Sequence, residues 1–487
     1  MMLKAVVFAV WLSSAISINV VEFDVDTSKL YTRTSEYLVS VTIDAQNIRK
    51  NWLGAQEFKA ERMINMAKAL SPAVLRLGGT AEDTITFNET ATELGNFPNG
   101  SYAMNATQWD IINNFAMRIN WNLTFGLNSL LRNPNGSWNS ANALKLFKYT
   151  KSKGYQVSWE LGNEPDIKQH QINFTVHPEQ MAHDFQTLRS IIDNLSLNPT
   201  ASIRLAGPDT TKVSKTGASD YYSRFLKTLG DGVVDAVTWH HYYGSNVHVT
   251  SDNFHDVQTL DSLIPALQFA RSHAERFAPS AELWLGETNS FTGGGIENLT
   301  DAYASGFLWL DKLGLAAATN HSVVCRQQFY GNTNYVSLLD KYLNPNPDYF
   351  TTLLHKRLVG RGVLNVSGST NVNRTVRVYA HCASSQNRYE PGAVALLVVN
   401  IEKNSVQLKL GSLGGSQVDL YLLTPTSGSI DSREIDLNGE TLRLINNSTL
   451  PDVSPKKLAP PTSITFPALT YGYVVLPNAK AEACIHD

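Results

Sequence analysis

The chain contains 487 residues, 43% of them hydrophobic and 17% charged, so it can bury a large core in two or three domains or in one barrel with an appendage. Its 40 Lys and Arg residues nearly balance its 43 Asp and Glu residues, and the formal net charge of −3 excludes a generally basic nucleic-acid-binding protein. Three cysteines are too few for a disulfide-rich scaffold.

Residues 1–17 have the pattern of a signal peptide. Lys4 precedes an apolar run over 5–12, and small residues follow up to Ser17. The run is shorter than the roughly 20 residues that a membrane-spanning helix needs, and no later segment is long and apolar enough. We therefore expect a secreted glycoprotein, extracellular or lysosomal, without a transmembrane segment. Thirteen Asn-X-Ser or Asn-X-Thr sequons agree with secretion.

Strands and helices alternate through the middle of the chain, after an isolated strand near Val20–Phe23. The alternation indicates parallel βαβ units. The apolar strands with polar or catalytic ends are Leu38–Ile43, Val74–Leu77, Leu123–Leu127, Gln156–Glu160, Arg204–Ala206, Ala236–Trp239, Leu283–Leu285 and Val323–Arg326. Eight such strands predict an α/β fold with a (β/α)8 TIM barrel over residues 37–348.

Two of these strands lead directly into a glutamate. Trp159–Pro165 joins the fourth strand to Asn163 and Glu164, and the seventh strand leads through Gly286 into Glu287. The carboxyl ends of barrel strands carry the catalytic residues in (β/α)8 enzymes, so the two glutamates should face each other across the barrel mouth. An alternative is that Glu164 belongs to a helix cap and Glu287 is an ordinary surface acid, but both motifs occur together and each ends an apolar strand.

Two facing carboxylates are the machinery of glycoside hydrolysis. One protonated carboxyl donates a proton to the leaving oxygen, and one ionised carboxylate attacks or stabilises the oxocarbenium-like carbon. We assign the acid role to Glu164 and the nucleophile role to Glu287, and their surroundings must separate their pKa values. Asn163 is placed to donate a hydrogen bond to a neighbouring sugar hydroxyl.

Beyond residue 348 the chain changes to short β-rich runs separated by Gly, Ser, Pro and Asn, which predicts a C-terminal β-sandwich over residues 349–487. Residues 18–36 are expected to add a strand to it. Cys325 lies in an apolar strand and is expected to be a buried free thiol, which leaves Cys382 and Cys484 to pair in an oxidising compartment. No metal-ligand spacing is present, so no metal is expected.

Four long segments resemble the heparanase-like enzymes of glycoside hydrolase family 79. They are Trp159–Pro165, Thr238–Tyr243, Trp284–Thr288 and Phe307–Leu315, and they occur in the family's order within a likeness that covers about residues 20–484. The resemblance implies a retaining endo-β-glucuronidase that cleaves internal glucuronic acid linkages of a glycosaminoglycan. It assigns Glu164 as acid/base and Glu287 as nucleophile, and it implies no metal or organic cofactor.

The resemblance also implies a set of substrate contacts and a disulfide. The implied substrate-binding residues are Asp44, Thr80, Asn163, His240, Gly293, Gly294, Gln327 and Tyr335. Cys382 and Cys484 fall at the family's disulfide positions.

Two departures from the family pattern bear on processing and substrate. Residues 87–122 leave little room for the excised linker of vertebrate heparanase, so we expect a single chain that is active without that cleavage. Residues 97–102 carry no cation and 211–215 carry only two, where heparanase has basic clusters. Sulfate recognition depends on Arg and Lys.

The sequence therefore leaves three candidate functions. Heparan sulfate is the expected substrate, since residues 240–243 and 293–295 look closest to heparanase itself. Hyaluronan, which carries carboxylates without sulfates, is the second candidate. A glycosaminoglycan-binding protein that no longer cleaves is the third, and the presence of Glu164, Glu287 and Asn163 argues against it.

Overall fold

The computed structural model describes residues 19–49, 56–92, 101–167, 176–211, 213, 218–331, 337–368, 374–387, 389–461 and 463–486. The predicted signal peptide and Tyr335 lie outside these ranges.

The secondary structure divides into barrel elements and a β-rich C-terminal region. The strands are β1 (Asn19–Val25), β2 (Thr32–Arg33), β3 (Val39–Asp44), β4 (Ala73–Gly78), β5 (Ile85–Phe87), β6 (Tyr102–Met104), β7 (Trp121–Leu127), β8 (Val157–Leu161), β9 (Ala206–Thr210), β10 (Ala236–His241), β11 (Glu282–Thr288), β12 (Val323–Arg326), β13 (Val359–Leu364), β14 (Val366–Gly368), β15 (Val376–Ala383), β16 (Val394–Asn400), β17 (Val406–Lys409), β18 (Val418–Pro425), β19 (Ile435–Leu437), β20 (Glu440–Thr441), β21 (Lys456–Leu458), β22 (Ser463–Phe466) and β23 (Thr470–Leu476). The helices are α1 (Gln46–Arg49), α2 (Glu61–Ala69), α3 (Ala106–Ile119), α4 (Ala141–Ser152), α5 (Pro178–Asn194), α6 (Ala218–Leu229), α7 (Val257–Asp261), α8 (Ile264–Phe277), α9 (Ser305–Ala318) and α10 (Pro347–Leu358).

Eight parallel strands form a barrel in the order β8, β7, β4, β3, β12, β11, β10, β9. A parallel bridge between Trp159 of β8 and Leu205, the residue before β9, joins the two ends of this order. The predicted (β/α)8 barrel is confirmed, and its eight strands follow one another along the chain as predicted. The fifth strand lies slightly later than predicted and ends at Thr210.

The barrel strands are buried on both faces, which explains their nearly continuous apolar character. In β4, Leu75 and Leu77 belong to the hydrophobic core, while Arg76 between them points to the opposite face because side chains alternate along a strand. Trp109 of α3 packs on Phe125 and Trp159 and holds that helix against the barrel. The polar face of these strands is therefore the barrel interior.

The C-terminal region is a two-sheet β-sandwich. One sheet has the order β2, β13, β15, β16, β23, β18, β19, β20, with β21 beside β18, and the other has the order β14, β1, β17, β22. The N-terminal strand β1 pairs in parallel with β17 and antiparallel with β14. The predicted disulfide Cys382–Cys484 is present, and Cys325 is a buried free thiol.

The barrel and the sandwich meet across α9 and α10. Tyr303 stacks on Tyr471 of β23 with ring centroids 4.4 Å apart. The predicted boundary after Asp348 falls within α10, which runs to Leu358 and is followed by β13 from Val359. Among the described residues, no helix combines the length and apolarity that a membrane span needs.

Candidate active site

Glu164 and Glu287 lie together at the carboxyl edge of the barrel, as predicted. Glu287 is the sixth of the seven residues of β11, and Glu164 follows the end of β8 by three residues. One carboxylate oxygen from each lies within 4.8 Å of the other. Glu164 retains 18% side-chain exposure and Glu287 retains 9%, so both keep some access to solvent.

The backbone holds Glu164 in an uncommon conformation. Its φ of +50° lies in the left-handed region, which costs a non-glycine residue about 1 kcal/mol or more. The Glu164 N–H donates to the Asp209 carbonyl at 2.9 Å, and the Asn163 N–H donates to Asp83 Oδ2 at 3.2 Å. These bonds fix the turn that aims the Glu164 carboxyl across the barrel.

The Arg76 side chain links several polar residues of the site through hydrogen bonds. Its guanidinium donates to Glu287 Oε2 at 2.9 Å, to Glu160 Oε2 at 2.8 Å and to Asn163 Oδ1 at 3.0 Å. Only 1% of Arg76 is exposed. Because Arg76 holds the oxygen of the Asn163 amide, the NH₂ group of that amide lies on the other side.

Arg76 is surrounded by more carboxyls than one cation can neutralise. Glu82 and Asp209 lie 3.8 and 3.7 Å from its guanidinium, in addition to Glu160 and Glu287. Burial raises the pKa of Glu82 well above its ordinary value, and burial together with Asp209 raises the pKa of Glu160 to about 8. The raised pKa values favour the protonated forms of these two carboxyls, which lessens the negative charge around Arg76.

Tyr242 completes the surroundings of Glu287. Its hydroxyl donates to Glu287 Oε1 at 2.6 Å, while Arg76 donates to the other oxygen. Donors on both oxygens stabilise the carboxylate form and hold it in one orientation. This is the form that a nucleophile requires.

Glu164, His240 and Asp209 form a hydrogen-bonded chain. Glu164 Oε1 lies 3.1 Å from His240 Nδ1, and Asp209 Oδ1 lies 3.1 Å from His240 Nε2. Although burial lowers it, the pKa of His240 is raised to about 10 by Glu287, Asp209 and Glu164. Burial favours a higher pKa for Asp209, but Arg76 and His240 lower it to about 2. His240 is therefore an imidazolium between two acidic groups.

This arrangement corrects one predicted role. His240 was expected to contact the substrate, but it is completely buried, and each ring nitrogen already has a carboxylate partner. It lies behind Glu164 and acts on that residue. Burial, as the largest effect, raises the pKa of Glu164, and the charge of Glu287 raises it further, whereas His240 opposes the rise.

The remaining predicted substrate contacts in the described chain are Asp44, Gln327, Thr80, Gly293 and Gly294. Gln327 Nε2 donates to Asp44 Oδ2 at 3.1 Å, and burial, followed by the charge of Glu287, raises the pKa of Asp44 to about 6. Thr80 is exposed at the start of a 3-10 helix after β4. Gly293 and Gly294 lie in the loop after β11.

Lys312 of α9 secures the end of β11 from outside the barrel. Its Nζ donates to Thr288 Oγ1 at 2.5 Å and to the Asn289 carbonyl at 2.8 Å, and it lies 4.6 Å from the ring centre of Tyr243. Burial lowers the pKa of Lys312 well below its ordinary value. Lys312 thus fixes the residues that follow Glu287.

Sequence reasoning missed Arg76, Tyr242, Asp209 and Glu160. Arg76 interrupts an otherwise apolar strand, and a charge at an inward position of a barrel strand is a signal that could have been used. Glu160 carries the same signal in β8. Asp209 follows Gly207 and Pro208 near the end of β9, and Tyr242 follows two adjacent histidines, so neither position carries so clear a signal.

The donor set of the site can also be compared with that of a metal centre. Glu164, His240 and Glu287 offer ligand atoms within 4.8 Å of one another, which makes them the candidate metal cluster of the described chain. Both ring nitrogens of His240 already pair with carboxylates, however. We therefore assign the cluster to acid–base chemistry.

An eight-strand barrel with two facing carboxylates at its carboxyl edge defines a glycoside hydrolase. The family model described as glycosyl hydrolase family 79, N-terminal domain, matches residues 49–314. Heparanase of Gallus gallus is 35% identical over 93% of this chain and 94% of its own length. The chain therefore belongs to glycoside hydrolase family 79.

Other relatives differ in their named activities. A hyaluronoglucuronidase of Hirudo nipponia is 31% identical over 94% of this chain and 98% of its own. A Homo sapiens protein named inactive heparanase-2 is 31% identical over 95% of this chain and 89% of its own. A solved 4-O-α-L-rhamnosyl-β-D-glucuronidase from Fusarium oxysporum has a TM-score of 0.69 and 17% identity over 94% of this chain and 99% of that chain, a likeness of fold.

Proposed function

We propose that this family 79 hydrolase is a secreted, retaining endo-β-glucuronidase that acts on a glycosaminoglycan. The supporting observation is the separation of at most 4.8 Å between oxygens of Glu164 and Glu287. Retaining glycosidases place their two carboxyl groups roughly 5–5.5 Å apart, whereas inverting enzymes need about 6.5–9.5 Å to admit a water.

In the first step Glu287 attacks the anomeric carbon of an internal glucuronic acid. The bond from that carbon to the leaving oxygen breaks as the new carbon–oxygen bond forms, and Glu164 gives its proton to the leaving oxygen. Arg76 and Tyr242 orient Glu287 through donors to both of its oxygens, while burial raises the pKa of Glu164 and favours its protonated form. The product is a covalent glycosyl-enzyme and a shortened polymer.

In the second step water replaces the leaving group. Glu164, now a carboxylate, takes a proton from the water as the water oxygen attacks the anomeric carbon and Glu287 departs. The His240 imidazolium stabilises this carboxylate through its 3.1 Å contact. Two displacements at one carbon restore the original anomeric configuration.

Heparan sulfate is the polymer that we propose first. Heparanase of Gallus gallus shares 35% identity over nearly the whole chain. The proposed location is extracellular or lysosomal, in keeping with the predicted signal peptide. A raised pKa of Glu164 also suits a general acid that must remain protonated at mildly acidic pH.

Hyaluronan is the second candidate, and the charge of two segments that follow barrel strands favours it. Residues 79–104, which follow β4, contain no Lys or Arg. Arg132, in the loop after β7, is paired with Asp184. A sulfated chain needs cations at its sulfates, whereas an unsulfated chain needs donors only for its carboxylates.

A sizing experiment tests the proposed activity and chooses between the polymers. The secreted protein is incubated separately with heparan sulfate and hyaluronan, and the chains are sized by gel filtration. The Glu164→Gln and Glu287→Gln variants, which preserve side-chain volume, should leave both polymers intact. A wild type that binds but shortens neither polymer would establish the non-catalytic alternative.

A further inference from the structure

A cavity of about 820 Å³ lies at the amino edge of the barrel, opposite the edge that carries the catalytic residues. Val74, Trp284 and Val323, each near the start of its strand, contribute to its lining and form a small hydrophobic cluster. Polar side chains, including Gln156 and Ser158, line the same cavity. Its volume lies within the roughly 300–1,000 Å³ that is typical of ligand pockets. A lining that is partly apolar and partly polar suits a sugar, whose ring has apolar C–H faces and hydroxyl edges.

Asn122 of β7 lines this cavity. It is exposed, whereas the other six residues of the strand are buried, and it pairs with Val74 of β4. Because side chains alternate along a strand, Asn122 and Thr124 point away from the side of Leu123, which belongs to the largest hydrophobic cluster, and toward the barrel interior. Within the described chain, the Asn122 side-chain amide has no hydrogen-bond partner. Its Nδ2 can therefore carry a substituent without the loss of a contact.

Asn122 also begins a sequon, Asn122-Leu123-Thr124. Only 1% of Thr124 is exposed in the folded chain. An enzyme that reads the sequon must reach both the asparagine and the hydroxyl residue two positions later. Transfer of a sugar to Asn122 therefore precedes the pairing of β7 with β4 and β8, and the folded barrel then has to accommodate that sugar at its amino edge.

We propose that Asn122 carries an N-linked glycan whose first sugars occupy this cavity. The inference rests on the proposed secretion, because the donor is an oligosaccharide on a lipid diphosphate of the secretory pathway. Asn122 Nδ2 forms a bond to the anomeric carbon of the first N-acetylglucosamine as the bond from that carbon to the diphosphate oxygen breaks. The amide nitrogen loses one proton, and the lipid diphosphate leaves. In the folded chain the apolar lining packs against C–H faces of the sugars, and the polar lining meets their hydroxyl groups.

Site mapping tests the modification and its place together. The full chain is secreted from eukaryotic cells, and a native and a denatured sample are treated with peptide N-glycosidase in ¹⁸O-labelled water. The enzyme converts each glycosylated asparagine that it reaches into labelled aspartate, which mass spectrometry of the peptides locates. Asn122 should be labelled in the denatured sample and about tenfold less in the native one, because the folded barrel restricts access. The matched control is the sequon that begins at Asn88, an exposed residue after β5, which should be labelled equally in both samples.

Thermal unfolding provides a second readout. Asn122→Gln removes the glycan and uncovers apolar lining, so the Tm should fall by about 1–2 °C. Asn88→Gln removes an exposed glycan and should leave the Tm unchanged. Equal labelling of Asn122 in native and denatured samples, or an unchanged Tm of Asn122→Gln, would overturn the placement of the glycan in the cavity.

The mapping also separates this inference from the proposed function. A glycan at Asn88 with none at Asn122 would overturn the inference and leave the proposed secretion in place. Absence of glycans from every sequon would contradict both. A glycan at Asn122 on a protein that cleaves neither polymer would support the inference and end the proposed activity alone.

Discussion

One buried guanidinium organises the protons of the active site. Arg76 contacts Glu287, Glu160 and Asn163 directly, and it lies within 4 Å of Glu82 and Asp209. Burying a charge is unfavourable unless partners offset the loss of water, so the cation and its carboxyls must form as a set. The result is a Glu287 held by donors on both oxygens, close to a Glu164 whose pKa is raised by burial.

Asp209 should control the pH dependence of catalysis through His240. Asp209→Asn removes an anion that raises the pKa of His240, so the imidazolium form of His240 becomes less stable. The imidazolium lowers the pKa of Glu164, and its loss lets that pKa rise. The alkaline limb of kcat/KM, which follows the loss of the Glu164 proton, should therefore move to higher pH. Asp252→Asn, at a carboxylate whose side chain is 80% exposed, should leave the profile unchanged. A shift to lower pH would contradict the assignment.

Tyr242 should contribute to the chemical step without contributing much to folding. Tyr242→Phe removes the hydroxyl that donates to Glu287 Oε1 at 2.6 Å but leaves the ring. Hydrogen bonds to charged groups contribute about 1.5–3 kcal/mol, so kcat should fall roughly 10- to 100-fold. Thermal unfolding should change little. Full activity in this variant would show that Arg76 alone orients the nucleophile.

The two glutamates were predictable because each follows an apolar strand and carries a local motif. Their pairing was also predictable, since all eight strands of a barrel end at the same edge. The role of His240 was not predictable, because it depends on a contact with Asp209, which is 31 positions away in sequence. A sequence motif identifies a polar residue at a strand end, but only the fold shows whether that residue faces the substrate or another side chain.

At the scale of elements, the sequence predicted the barrel strands better than the end of the barrel. The strands are short apolar runs with polar ends, and that pattern is local. The predicted boundary at Asp348 falls within α10, because that helix is buried between barrel and sandwich and its composition resembles neither a linker nor a surface helix. The strand β1 was recognisable, but its partners β14 and β17 lie more than 300 residues away.

The disulfide should stabilise the sandwich without affecting the site. Cys382 in β15 and Cys484 near the C-terminus are 102 positions apart. Closing a loop of that length is associated with about 4.7 kcal/mol of stability in the chain-entropy relation. The Cys382→Ser, Cys484→Ser double variant should show a lower urea midpoint and unchanged kcat at 25 °C.

Reductant provides the control for this prediction. It should lower the stability of the wild type and of Cys325→Ala, in which the disulfide is intact, but not that of the double variant. Insensitivity of the wild type to reductant would contradict the assignment.

At the scale of the whole molecule, barrel and sandwich share one core. The largest hydrophobic cluster contains Phe307 of α9 together with Tyr471 and Tyr473 of β23. Arg377 of β15 pairs with Asp311 at 3.4 Å and with Asp261 at 2.7 Å, both on barrel helices. The sandwich therefore completes the barrel's outer layer.

This shared core predicts a single cooperative unfolding transition. Calorimetry of the full chain should give one endotherm, because exposing the α9 and α10 faces would uncover apolar surface on both parts. The calorimetric and van't Hoff enthalpies should agree. Two resolved transitions, with one assigned to each part, would show that the contact is weaker than its packing indicates.

The stereochemistry of cleavage tests the central claim most directly. A glucuronate-containing oligosaccharide is mixed with the enzyme, and ¹H NMR records the anomeric configuration of the new reducing end before mutarotation. Double displacement through Glu287 and Glu164 predicts that the β anomer appears first and the α anomer follows by mutarotation. Initial release of the α anomer would show a single displacement by water, and it would contradict the roles given to the two glutamates.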